Sequence, residues 1–262
     1  MSSSPSQGPF ILVSGANRGI GLDLVKNLVQ QHPQAVVFAG ARDPTSATAL
    51  NEIASKNGNV HVIQLTVDDE ESNKKAVDEV KKITERLDIV IANAGINSPF
   101  VPLQNDDIAM FKTNFQVNTL GPVYLYQATF PLLVATRETD PSLPAPKFFI
   151  TSSLIASFSD CPPMFLNGSY GASKAAANYV AHVIHEQTEK YNAVVIPYHP
   201  GLVATDMGAK SAAEMGVDFT SLPGAISPEQ AGKEYADLVT KATRAEHGGK
   251  FWGQGIAEPI PW

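Results

Sequence analysis

Six short apolar runs, each separated from the next by a helical pattern, constrain this chain more than any other feature. They are Phe10–Val13, Ala35–Ala39, Val60–Leu65, Ile89–Ala92, Phe148–Ile150 and Val194–Ile196, mostly unbroken by polar residues and rich in Val and Ile. A strand with one wet face alternates apolar and polar residues, whereas an unbroken run marks a strand buried on both faces. Between the runs, Leu24 with Leu28 and Val25 with Val29 recur at four-residue spacing, and Ala76, Val80, Ile83 and Leu87 at three and four. This β-α rhythm predicts an α/β fold, a doubly wound parallel sheet of about seven strands with helices on both faces.

A chain of 262 residues fits one such unit. Residues 1–9 are expected to form a flexible leader, and 10–262 a single domain that includes its ligand loops. Two stretches break the rhythm. Thr139–Lys147 is rich in proline and reads as a surface loop. Val203–Ile226 is rich in Gly, Ala and Ser with weak periodicity and reads as a long functional loop, after which Ser227 caps a helix opened by Pro228. The N-terminus lacks the basic and apolar regions of a signal peptide, and no run approaches the roughly 18 apolar residues of a membrane span. A formal charge of −7 argues against a broad nucleic-acid face. The single cysteine, Cys161, excludes an internal disulfide and a multi-cysteine metal cluster. His182 and His185 alone make no metal site, so no metal is expected. A reducing, cytoplasmic compartment fits this usage.

The first run leads into SGANRGIG, which sets Gly15, Gly19 and Gly21 between a strand and a helix. Glycines there permit a tight turn and close approach of a pyrophosphate, and a helix N-terminus supplies free N–H groups and the positive end of a dipole. The spacing G-x-x-x-G-x-G differs from the commoner G-x-G-x-x-G. The second run ends AGARDP. An acidic side chain at this point grips an adenosine ribose, and an arginine takes a 2′-phosphate. Here Ala41 occupies the acid position and Arg42 follows, with Arg18 inside the glycine turn. The pair favours NADP(H), while Asp43 before Pro44 reads as the cap of the next helix.

The strongest local signal is YGASK. Tyr170 and Lys174 stand four apart and share a helix face. An ammonium beside a phenol favours the phenolate and lowers its pKa from about 10, which suits proton exchange with a carbonyl oxygen. The pair of Ser152 and Ser153 closes the fifth strand just before it.

Taken in order, SGANRGIG, NAG (Asn93–Gly95), VNTLG (Val117–Gly121), TSS (Thr151–Ser153), YGASK and HPGLVATDM (His199–Met207) resemble the motifs of the short-chain dehydrogenase/reductase family. The resemblance spans Phe10 to about Gly253. It is nearest to single-domain NADPH-dependent carbonyl reductases and, in the Pro-Trp ending and the ANYVAHVIHEQ helix, to fungal ketoreductases of the norsolorinic acid type. It implies a Rossmann-type sheet and a catalytic set of Tyr170 as general acid, Lys174 lowering its pKa and bonding the nicotinamide ribose, Ser153 polarising the carbonyl, with Ser152 its competitor, and Asn118 holding a relay water. For the cofactor it implies Gly15, Asn17, Arg18, Gly19, Ile20, Gly21, Arg42, Val67, Asn93, Ala94, Gly95, Tyr170, Lys174, Pro200, Gly201, Val203 and Thr205. It also implies transfer of the pro-S hydride. Two departures stand out. LTV replaces the family's L-D-V, so Thr66 stands where an aspartate touches adenine, leaving a backbone contact near Val67. Tyr170 follows Ser153 by seventeen positions, more than is usual.

Loops at the carboxyl ends of the strands must wall the substrate site. These are Ile96–Gln104, Ile155–Asn167 and Val203–Ile226. Their Phe100, Phe158, Met164, Phe165, Met207, Met215 and Phe219 suit a hydrophobic or aromatic carbonyl compound, although some pack only among themselves. The implied activity is NADPH-dependent reduction of an aromatic or polyketide-like ketone, possible in secondary metabolism. A reductase-fold sensor without turnover, or a member recruited to cyclisation, are the alternatives; fold alone does not imply activity. Helices over about Ala109–Ala135 and Tyr170–Lys190, with Val123, Leu125, Ala175, Ala176 and Val180, could pair copies into a homodimer or homotetramer. The C-terminal tail is expected to fold back near the Val203–Ile226 loop.

Overall fold

The computed structural model describes residues 8–139 and 143–262. Its elements run β1 (Phe10–Val13), α1 (Gly19–Gln31), β2 (Val36–Ala41), α2 (Thr48–Lys56), β3 (Val60–Gln64), α3 (Glu70–Lys81), β4 (Ile89–Ala92), α4 (Ile108–Phe115), a π-helical turn (Gln116–Leu120), α5 (Gly121–Thr139), β5 (Lys147–Thr151), α6 (Gly168–Gln187), β6 (Val194–His199), β7 (Leu202–Val203), α7 (Asp206–Glu214), β8 (Ala225–Ile226), α8 (Pro228–Lys241), α9 (Arg244–His247) and β9 (Trp252–Gly253). The main sheet is parallel throughout, in the order β3-β2-β1-β4-β5-β6-β9. Chain order reverses between β1 and β4, where Ile11 pairs with Ile89. In such sheets the ligand crevice opens at this switch point, beyond the carboxyl ends of the strands.

The apolar runs lack alternation because both sheet faces are covered. Along β1, Ile11 and Val13 join one core with Leu24, Leu28, Phe149, Tyr235 and Val239 under α1 and α8. Phe10 and Leu12 join the other with Phe38, Val80, Leu125, Ala177 and Ala181 under α3, α5 and α6. Successive strand residues point to opposite faces, so four consecutive apolar residues serve two cores at once.

The six sequence runs become β1 to β6 with boundaries shifted by up to three residues. The seventh strand, β9, is only two residues long and has no sequence signal. Gly8 and Pro9 are tied to the sheet: Gly8 N–H donates to the Gln34 carbonyl and Val36 N–H to that of Pro9, each at 3.0 Å. The expected leader is therefore shorter than nine residues, and its first seven lie outside the described residues. The expected Thr139–Lys147 loop begins where α5 ends, and 140–142 lie outside the described residues. Val203–Ile226 is more ordered than its composition suggests, for it carries α7 and a parallel β7–β8 ladder. Asp43 does not cap α2, which starts after Ala47 without a side-chain cap. Its carboxylate instead accepts from Thr45 N–H and Oγ1, closing the turn between strand and helix. Ser227 caps α8 by accepting from Gln230 N–H at 3.1 Å. Among the described residues no helix is long and apolar enough to cross a membrane.

Candidate active site

The glycine turn after β1 is built by backbone contact. Gly15 has φ +64° and Gly19 φ +54°, a region open to glycine at no steric cost. A Cβ at Gly21 would overlap the Gly15 carbonyl oxygen and the Asn93 side chain. Asn93 Nδ2 donates to the carbonyls of Ser14 (3.0 Å) and Gly15 (3.2 Å), while the buried Ser14 hydroxyl accepts from Asn93 and Ala94 N–H. This lock fastens the turn to the end of β4 across the switch point. Ser14 was overlooked as a site residue, although it opens the glycine motif. The start of α1 has no side-chain cap and no acidic residue in its first turn, so its free N–H groups and dipole face the crevice as an anion site.

Three predicted cofactor residues sit on the exposed rim. Asn17, Arg18 and Arg42 are solvent-exposed. Arg18 forms an ion pair with Asp206 at 3.2 Å, which joins the glycine turn to α7. Among the described residues Arg42 has no ion pair. Val67 is half-buried, and its carbonyl accepts from Asn73 Nδ2 at 3.1 Å, as that of Thr66 does at 3.3 Å.

The catalytic candidates converge from three elements. Asn118 lies in the π-helical turn joining α4 to α5, where π geometry displaces the ordinary helical bonds and often marks a functional site. Its Oδ1 accepts from Ile96 N–H and its Nδ2 donates to the Ile96 carbonyl, both at 2.9 Å, and to Ser173 Oγ at 3.0 Å. Helix α6 is capped by Asn167, whose Oδ1 accepts from Tyr170 N–H at 3.0 Å and whose Nδ2 donates to the carbonyls of Ser98 and Pro99. One asparagine therefore aims the start of α6, which carries Tyr170 and Lys174, and anchors the Ile96–Gln104 loop. Lys174 is buried, and its Nζ donates to the Thr151 carbonyl at 2.7 Å while lying 5.9 Å from the centre of the Tyr170 ring. A Cβ on Gly95 would come within 3.2 Å of Asn118 Oδ1 and 3.3 Å of Lys174 Nζ, which leaves the space between them clear.

Electrostatics here depart from the sequence expectation. Burial pushes the Tyr170 phenol above its ordinary pKa, and a hydrogen bond with the Ser153 side chain draws it part of the way back. Burial lowers Lys174 to about 8. Desolvation disfavours the charged form of each group. It outweighs the expected help from the ammonium, which is engaged with the Thr151 carbonyl. Ser152 Oγ donates to Asn178 Oδ1 in α6.

An open cleft reaches Ser153 and Tyr170 from the surface. Ser153 and Tyr170 line it, as do Ile20, Pro200, Gly201, Val203 and Thr205 of the cofactor set. Of the apolar wall residues named from sequence, Phe100, Phe165, Met207, Met215 and Phe219 face it, together with Cys161. Phe158 and Met164 do not: they are 89% and 72% exposed, because the long segment before α6 folds with them outward. Leu125 is unavailable for contact between copies, since it is taken up by the chain's own core. Val123, Ala175, Ala176 and Val180 are half-buried. The C-terminal tail packs behind the Leu154–Pro162 wall, through Ser157 and Ser159, rather than on the Val203–Ile226 segment. Among the described residues no three His, Cys, Asp or Glu side chains cluster as metal ligands.

The chain is similar to several known proteins. An uncharacterized oxidoreductase of Schizosaccharomyces pombe is 33% identical over 254 residues, covering 95% of this chain and 96% of that protein. The norsolorinic acid ketoreductase of Aspergillus parasiticus is 30% identical over 265 residues, with 98% and 93% covered. The crystal structure of an NADPH-bound carbonyl reductase from chicken fatty liver superposes with a TM-score of 0.85 at 26% identity, covering 98% of this chain and 97% of that one. Residues 9–216 match the family model described as short chain dehydrogenase. The chain belongs to the short-chain dehydrogenase family.

Proposed function

We propose that this protein is an NADPH-dependent ketoreductase that converts a hydrophobic, aromatic or polyketide-like ketone to its alcohol. Family membership makes it an oxidoreductase that works with a nicotinamide cofactor on a small molecule. The observation that carries the finer reading is that Ser153 and Tyr170 line the same cleft, whose other walls are mostly apolar.

The residues fit the cofactor. The uncapped start of α1 and the Gly15–Gly21 turn would take the pyrophosphate. The clear space at Gly95, beside Lys174, would take the nicotinamide ribose. Arg42, exposed and unpaired among the described residues, stands where a 2′-phosphate would lie, and Arg18 can join it by giving up its exposed bond to Asp206. When bound, NADPH supplies a hydride to the ketone carbon. Ser153 donates a hydrogen bond to the ketone oxygen, and Tyr170 passes its proton to the same atom as negative charge develops there. The raised phenol pKa keeps that proton in place at neutral pH. Lys174 would bond the nicotinamide ribose, and Asn118 would hold a water of the proton relay. Apolar walls exclude water and hold the ketone by its hydrophobic body. A role in secondary metabolism, a cytoplasmic location and pairing of copies across α5 and α6 belong to the same reading.

A panel of aromatic and aliphatic ketones, followed by NADPH absorbance loss with NADH in parallel, tests this. Turnover of bulky aromatic ketones with NADPH is expected, with Arg42→Ala weakening NADPH by about tenfold and leaving NADH unchanged. No turnover of any ketone, or an equal effect of Arg42→Ala on both cofactors, would overturn it.

A further inference from the structure

The wall that follows Ser153 has little regular structure of its own. It contains one 3₁₀ turn, Leu154–Ala156, then a turn over 158–160 and a bend at Cys161. Leu154, Ile155, Cys161 and Pro162 face the cleft, and Ile155 bears on Gly171 in the first turn of the catalytic helix. A segment with few internal backbone bonds takes its position from what packs against it. Here that is the end of the chain. Beyond β9 the chain turns back, and Ile260 pairs antiparallel with Phe251, its N–H donating to the Phe251 carbonyl at 2.7 Å. The returned segment then seats on the reverse side of the wall. Ser157, 2% exposed, donates through Oγ to the Pro261 carbonyl at 2.7 Å and accepts from Asp160 N–H at 3.0 Å. Ser159 Oγ donates to the Trp262 carbonyl at 3.2 Å. Ala156 is buried in an apolar cluster with Phe251 and Ile260. The Trp262 ring stacks on Phe251 at 6.1 Å and meets the His182 ring of α6 edge-on at 6.3 Å.

We propose that Ile256–Trp262 is a positioning element of the substrate site. It clamps the Leu154–Pro162 wall from behind, and so sets the width of the cleft beside Ser153 and the size of ketone the site accepts. The inference rests on the ketoreductase reading above for its substrate. The geometry separates this role from cofactor binding: the glycine turn is locked to β4 through Ser14 and Asn93, and none of those bonds involves the tail. The two serines that hold the tail, Ser157 and Ser159, belong to the long insertion before Tyr170. The insertion and its clamp therefore act as a unit, with the tail as its outer brace and the cleft residues as its inner face.

Two variants test the proposal, a chain ending at Pro259 and the milder Trp262→Ala, which keeps the backbone bonds and covers the case in which the shorter chain fails to fold. Three quantities are measured: amide hydrogen exchange of residues 154–162, the Kd for NADPH, and KM and kcat for a small aliphatic and a bulky bicyclic aromatic ketone. The expected result is exchange in the wall faster by about tenfold in the shorter chain, an unchanged NADPH Kd, and a ratio of KM values for the two ketones shifted about tenfold with kcat moving less. Trp262→Phe should restore most of the ratio. Unchanged wall exchange, or a parallel loss for both ketones and NADPH, would overturn the proposal by marking the tail as inert or as general scaffold. Failure of the parent chain to reduce any ketone would instead overturn the functional reading, and the exchange measurement would still decide whether the tail holds the wall.

Discussion

The two sides of the crevice are made by opposite means. On the cofactor side, β1, the glycine turn and β4 form a surface by leaving side chains out: Gly15, Gly21 and Gly95 stand where a Cβ would strike backbone or polar groups. On the substrate side, Ser153, Tyr170 and the apolar walls form a surface by placing side chains, each held by a contact distant in sequence. Asn167 with Ser98, and Ser157 with Pro261, are such contacts. A site made of missing side chains tolerates no additions, whereas one made of placed side chains depends on their supports.

Gly21→Ala breaks the comparison most severely. The added methyl would overlap the Gly15 carbonyl and part Asn93 from the turn, so NADPH binding is expected to fall below detection by fluorescence quenching. Gly58→Ala, with nothing within 4 Å of the added atom, should change stability by less than about 0.5 kcal/mol. If both variants bind NADPH normally, the cofactor side is not built by exclusion.

On the substrate side, Ser153→Ala should lower kcat by about 100-fold to 1000-fold, the usual loss for one donor to a developing oxyanion. Ser152→Ala, which removes only the bond to Asn178, should cost about 1 kcal/mol of stability and little activity. The pH profile sharpens the assignment. Reduction needs the protonated phenol, so its rate should hold through neutral pH and fall only as pH passes the raised phenol pKa, while alcohol oxidation climbs over the same range. Since the Ser153 hydrogen bond lowers that pKa, its removal should carry the alkaline limb to higher pH. A limb that stays in place would separate Ser153 from the phenol.

A smaller effect concerns His199 at the end of β6. It lines the cleft, its Nδ1 is buried without a hydrogen-bond partner among the described residues, and burial lowers its pKa from 6.5 to about 4. Between those values an unfolded chain binds the proton and the folded chain does not. Stability should therefore fall as pH drops through this window, by at most roughly 3 kcal/mol. His199→Asn should flatten urea midpoints measured between pH 7 and pH 4, and an equally steep loss in that variant would assign the acid limb to other groups.

The same contrast explains what the sequence made legible. Buried strands announce themselves by unbroken Val and Ile, and turns by glycine spacing, because both are local requirements. Six of the seven described strands of the main sheet and the glycine turn between β1 and α1 are readable on that basis, but the Ser14 hydroxyl that locks the turn is not. β9 was not, since two residues held in register by β6 need no pattern of their own. Phe158 and Met164 were misplaced, and Ser157 passed over, because which way an irregular wall turns depends on a tail about a hundred residues further on. The Tyr170–Lys174 spacing fixed a shared helix face, but the balance between burial and charge depends on the Thr151 carbonyl that takes up the ammonium. The π turn around Asn118, whose side chain bonds Ile96 and Ser173, is likewise recorded by no helical periodicity.

The central claim is that Tyr170 delivers the proton while the glycine turn independently holds the cofactor. The most direct measurement compares Tyr170→Phe with the parent chain in two assays, NADPH binding by fluorescence and ketone turnover by absorbance. The account predicts an unchanged Kd for NADPH with kcat reduced by roughly 100-fold to 10,000-fold, the range for loss of a positioned general acid. A variant that turns over ketone at the parent rate, with NADPH bound as before, would contradict it.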